Sequence, residues 1–103
     1  MIVLGIDPGT AITGYGLVRE EGGALTCVRM GAVLTRPDIP LPARLSKIYR
    51  ELSEVIADSR PDCASVEQLF FNTNAKSALA VGHARGVALL ACANSEVPVV
   101  EYT

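Results

Sequence analysis

The sequence predicts a mixed α/β sheet flanked by helices: three antiparallel strands, then parallel strands, in the order β-β-β-α-β-α-β. Three observations carry this. The first third of the chain divides into short β-rich runs closed by Gly and Pro. From Leu41 to Ala57 the apolar residues recur at helical spacing. After that, short apolar runs alternate with a second helical stretch, and a strand–helix–strand crossover is right-handed and delivers a parallel strand.

Each element has its own signature. Ile2–Ile6 (IVLGI) is an apolar run that stops abruptly at Asp7-Pro8-Gly9-Thr10, a strand followed by a turn. Thr13–Arg19 (TGYGLVR) is a second strand, with Tyr15 and Leu17 alternating against Gly14 and Gly16. Glu20–Gly23 is a polar turn, and Leu25–Thr35 a third strand with a bulge expected at Gly31. Arg36–Pro42 holds Pro37, Pro40 and Pro42 and is a connector within one domain. Leu41, Leu45, Ile48, Leu52, Val55 and Ile56 mark an amphipathic helix, which Arg60-Pro61-Asp62 stops. Cys63–Glu67 is a short buried strand that again ends in an acid. Ala75–Asn94 is the second helix and Val97–Tyr102 the last strand.

With 103 residues, half of them apolar, the chain is one small domain with a core. No apolar run approaches the ~20 residues of a membrane span, and the start lacks the pattern of a secretory signal. Cys27, Cys63 and Cys92 are odd in number, far apart and set in apolar sequence. They read as buried thiols of a reducing cytoplasm, without metal-ligand spacing. The net charge of −2 does not favour nucleic-acid binding.

The chemistry centres on Asp7. A carboxylate at the end of a buried strand needs a partner, because desolvating it unpaired costs several kcal/mol or more. For an isolated strand-end aspartate that partner is Lys or Arg. Docking the fourth strand parallel to the first changes the balance. Asp7 and Glu67 then both lie at strand C-termini, on neighbours roughly 4.7–4.9 Å apart. Two such carboxylates repel unless a cation sits between them. Open α/β sheets place ligands at this end of their strands, and oxygen-only ligation suits Mg²⁺ or Mn²⁺.

Four stretches resemble the N-terminal part of the RuvC family of Holliday-junction resolvases, which have the RNase H-like nuclease fold. They are LGIDPGT followed by TGYG, VEQLF, NAKSALAVGHARG and VPVVEY, in the family's order and spacing across nearly the whole chain. The resemblance implies an RNase H-like nuclease domain over residues 1–103, incomplete at its C-terminus. It also implies metal-dependent endonuclease activity on four-way DNA junctions in recombination and repair. By it, Asp7 and Glu67 are catalytic residues and metal ligands. In-line phosphodiester hydrolysis is served by two divalent ions about 3.5–4 Å apart, and neither carboxylate then needs to act as a proton-transfer base. Phe70 falls where the family stacks an aromatic on an unpaired base at the crossover, a contact worth about 1–3 kcal/mol. Phe71 is assigned to the core.

Family members complete the site with a further acidic pair on a C-terminal helix. Past Phe71 this sequence has only Glu96 and Glu101, so the 103 residues alone are expected to be inactive. The resemblance further implies a Lys-rich stretch after the last strand, a homodimer matching the two-fold junction, and branch-migration helicase subunits as partners.

Lys76, opening the second helix, either contacts DNA phosphate or solvates the helix face. Thr10 and Thr13 cap the turn in preference to touching DNA. His83, the sole histidine, is structural, and Arg85 pairs with an acid or a partner subunit's helix. Ala80, Ala84 and Ala88 repeat at four-residue spacing, as do Gly82 and Gly86. Two interior glycines cost a helix roughly 2 kcal/mol, so close approach by a neighbour, and dimerisation, should offset them. Two other readings share parts of the pattern. An rRNA-processing RNase H-like nuclease leaves VEQLF and NAKSALAVGHARG unexplained. An actin-like ATPase module, gripping phosphate with Asp7–Thr10, predicts further Gly-rich loops that do not occur.

Overall fold

The computed structural model describes residues 1–67 and 75–100, the side chains of 75–77 excepted. Its elements are β1 (Ile2–Asp7), β2 (Ile12–Glu21), β3 (Ala24–Leu34), α1 (Leu41–Ser59), β4 (Cys63–Val66), α2 (Ala75–Asn94) and β5 (Val99–Val100). They form one five-stranded sheet in the order β3-β2-β1-β4-β5. The first three strands are antiparallel and β4 and β5 are parallel additions, as expected.

Local chemistry accounts for the joints. β2 and β3 are joined by two residues, Gly22 and Gly23, both with positive φ (56° and 83°), the geometry that lets a tight hairpin follow the twist of its strands. The pairing runs from Glu21–Ala24 to Ile12–Leu34 with one slip. Leu17 faces Arg29 and Val18 faces Cys27, which leaves Val28 as the extra residue. The bulge is therefore at Val28 and not at Gly31. Gly31 pairs regularly with Tyr15, and a Cβ there would lie 2.5 Å from the Tyr15 Oη and 2.7 Å from its Cζ. It makes room for a ring.

α1 begins after Pro40 and carries proline in its first turn, where a missing N–H costs nothing. It runs two residues past the expected end. Arg60, left-handed at φ 47°, closes it by donating its N–H to the Ile56 carbonyl at 2.8 Å. Asp62 then locks β4 beside β1 by accepting the Ile2 N–H at 2.7 Å and donating its own N–H to the Ile2 carbonyl at 2.8 Å.

One core holds these parts together. Leu4 and Ile6 of β1, Leu17 of β2, Val33 of β3, and Ala64 and Val66 of β4 meet Ile48, Leu52, Val55 and Ile56 of α1 and Ala84, Ala88, Ala91 and Cys92 of α2. Both helices thus cover the sheet face that takes the even positions of β1. The odd positions, Val3, Gly5 and Asp7, belong to the other face. α1 and α2 also pack on each other, with the Asn94 amide donating to the Tyr49 hydroxyl at 2.8 Å. β3 is an edge strand on which Val33 alone is buried. Cys27 is accordingly exposed and Cys63 half-buried, so of the three cysteines only Cys92 is the buried thiol expected.

Candidate metal centre

β1 and β4 run in parallel register from Val3–Cys63 to Ile6–Val66. The residues that follow are Asp7 and Glu67, and the ladder continues to them, since the Glu67 N–H donates to the Ile6 carbonyl at 2.9 Å. Both side chains are exposed at the C-terminal ends of these two interior strands. On the other side of Asp7 stands Gly14, whose missing Cβ would come only 3.9 Å from the Asp7 Cβ. The acid is therefore flanked by a residue without a side chain.

The two carboxyls interact. A hydrogen bond with Asp7, then the like charge of Asp7, and lastly a small desolvation hold the Glu67 carboxyl above its ordinary pKa. Among the described residues no Lys, Arg or His forms a salt bridge with either acid. The salt-bridge fate of a lone strand-end aspartate is absent there. An exposed, oxygen-only pair of like charges fits a hard divalent cation. The donor set is small: no group of three or more His, Cys, Asp or Glu side chains comes together among the described residues.

The loop after Asp7 is held in one shape. Thr13, fully buried, donates its hydroxyl to the Gly9 carbonyl at 2.6 Å and accepts the Gly9 N–H at 3.2 Å. A side chain at Gly9 would collide with the Ile12 carbonyl. Thr13 is thus a turn-capping residue, as expected. Thr10 offers its carbonyl to the Thr35 hydroxyl. Thr35 carried no sequence signal beyond ending a strand, and its role shows only in three dimensions.

Other candidates are not brought to this site. Phe70 and Phe71 lie outside the described residues, as does the side chain of Lys76. His83 is half-buried in α2. Among the described residues no helix is long and apolar enough to cross a membrane.

With this geometry in place, comparison with known proteins is informative. The family model described as crossover junction endodeoxyribonuclease RuvC matches residues 3–103. A crossover junction endodeoxyribonuclease RuvC of Desulforamulus reducens is 57% identical over 103 residues, covering all of this chain and 63% of the relative. One from Alkaliphilus oremlandii is 52% identical, also over 63% of its length. The chain thus spans a little under two thirds of the curated relatives it matches. Among solved structures, T. thermophilus RuvC in complex with Holliday junction substrate superposes with a TM-score of 0.92 at 35% identity, over 99% of this chain and 65% of that one. The RNase H-like sheet inferred from the sequence is the fold observed.

Proposed function

Because the chain belongs to the RuvC family of crossover junction endodeoxyribonucleases, we propose that it acts in a structure-specific endonuclease that resolves four-way DNA junctions in recombination and repair, with Asp7 and Glu67 holding the divalent metal. The observation that carries this is the register of β1 and β4, which sets two carboxyls side by side with no cation from the described residues between them. Mg²⁺ is the expected ion, Mn²⁺ the alternative, and two ions per site the expected complement. Metal bound there supplies a polarised water and neutralises charge on the leaving oxygen. The protein's share is positional. Asp7 and Glu67 present oxygens at the C-terminal ends of two adjacent strands, and the Thr13-capped loop keeps the Asp7 backbone in place. Two carboxylates hold a divalent ion weakly, so further acidic ligands belong to the complete centre, and residues 1–103 are the larger part of one RNase H-like nuclease domain.

Phe70 stacks on an unpaired base at the crossover and Lys76 contacts phosphate in this reading. The protein works as a homodimer through α2. That helix has no single polar face, Leu79 and Leu90 are 63% and 51% exposed, and a Cβ at Gly86 would meet nothing within 4 Å. Branch-migration helicase subunits are its partners by family resemblance, and free thiols suit a reducing cytoplasm.

The test joins residues 1–103 to the remaining segment of the D. reducens relative and measures junction cleavage in Mg²⁺. Cleavage should occur and should fall at least about 100-fold in Asp7→Asn or Glu67→Gln, since even residues that merely support metal ligands cost 10–100-fold. Undiminished cleavage in either variant overturns the assignment.

A further inference from the structure

A second set of hydrogen bonds converges on the loop that leaves Asp7, from a part of the chain some thirty residues away. Thr35 lies just past the end of β3. Its N–H donates to the Ala11 carbonyl at 3.0 Å and its hydroxyl donates to the Thr10 carbonyl, so one residue takes two consecutive carbonyls of the loop. The same hydroxyl accepts the Arg44 Nε–H at 2.9 Å, from the first turns of α1. A guanidinium can only donate. The Thr35 hydroxyl proton is therefore directed at Thr10, and the relay Arg44 to Thr35 to Thr10 has one polarity. Thr13 holds the other side of the loop through both backbone groups of Gly9. Lys47, one turn after Arg44, fastens the end of β3 by donating to the Leu34 carbonyl.

We infer that Thr35, oriented by Arg44, is a positioning residue for the metal centre, tying the Asp7 loop to α1; this rests on Asp7 and Glu67 being the ligands. Thr13 alone would cap the turn. The added tie sets where the turn stands relative to the helix, and through it how Asp7 meets Glu67. Arg44, which can only donate, keeps the Thr35 hydroxyl proton turned towards Thr10.

The test compares wild type, Thr35→Val, Thr35→Ser and Arg44→Met by amide hydrogen exchange without metal and by Mn²⁺-induced broadening of the Asp7 and Glu67 amides. Thr35→Val and Arg44→Met should speed exchange at Gly9 by about tenfold relative to Leu52, whose amide reports global opening. They should also weaken Mn²⁺ binding about tenfold, the scale of support residues around a metal. Thr35→Ser, which keeps the hydroxyl, should stay within about twofold of wild type on both measures. If wild type binds Mn²⁺ at Asp7 and Glu67 and Thr35→Val binds it equally, the positioning role is overturned alone. If wild type shows no broadening there, the metal reading falls and the positioning role falls with it.

Discussion

Glu67 donates its backbone N–H to the carbonyl of Ile6 at 2.9 Å, one step beyond the last residue pair of the β1–β4 ladder. The main chain itself therefore delivers Glu67 to the register position beside Asp7. Side-chain rotamers adjust the contact between the acids, but they do not create it. The ladder fixes which residues meet, and the loop after Asp7 tunes how they meet.

The first consequence is a pH dependence of known sign. Folded Glu67 holds its proton more tightly than the unfolded chain does, because Asp7 is beside it. Folding takes up a proton between the ordinary and the raised pKa, so stability falls as pH rises through that window. Asp7→Asn removes the like charge and offers an amide donor. Carbon-13 titration should then bring Glu67 down towards its ordinary value. Thermal melts from about pH 4 to about pH 7 should lose the acid-side gain. The Tm change should be at most about 4 °C, because both groups are exposed. A Glu67 titration unmoved by Asp7→Asn would refute the coupling.

Divalent metal should act as a stabilising ligand. At a Mg²⁺ concentration ten times the dissociation constant, linkage contributes about 1.4 kcal/mol, and EDTA should reverse it. Differential scanning fluorimetry across a Mg²⁺ series should show a graded Tm rise in wild type and none in Asp7→Asn.

Thr13 is the buried polar residue of the site loop. Thr13→Val keeps its shape and leaves both backbone groups of Gly9 without their partner, at about 1–3 kcal/mol. Thr13→Ser should recover most of the loss. Urea denaturation separates the two, and equal stability of Val and Ser variants would show that the hydroxyl is idle.

Gly31→Ala should destabilise by about 1–3 kcal/mol, the range for overpacking, because the new methyl would occupy the place of the Tyr15 ring. In a Tyr15→Leu background the same change should be nearly neutral. A double-mutant cycle measures the difference. Arg29, whose guanidinium lies 5.7 Å from the Tyr15 ring centroid, should show altered side-chain shifts in the single variant.

Leu90→Glu on the exposed side of α2 should convert a dimer to a monomer without lowering the helix content. Sedimentation velocity reads the first and circular dichroism the second. A wild-type monomer at high concentration would contradict dimerisation through this helix.

The parts of the molecule readable in advance were those governed by periodicity and punctuation. α2 matches its expected limits, Ala75 to Asn94, and the parallel docking of β4 followed from its place between two helices. The misreadings share a different origin, in partners that a linear string does not display. Gly31 has the look of a bulge, but its meaning lies in the Tyr15 ring across the ladder. Val28, where the slip occurs, carries no local mark. Cys27 sits in an apolar run, but an edge strand leaves it outside. The acids at positions 7 and 67 were readable because each ends an apolar run. Thr35 was not, because its bonds reach to residues ten, eleven and forty-four.

The alternation along β1 has a last implication. Leu4 and Ile6 point into the helices, and Asp7 falls on the opposite face. A slip of one residue would exchange the faces, drive the carboxylate into the oil of the core and expose the leucine. A misthreaded chain thus loses cohesion and chemistry in the same stroke. β1 acts as its own inspector: a copy of this protein that has folded at all has also set Asp7 in the open beside Glu67.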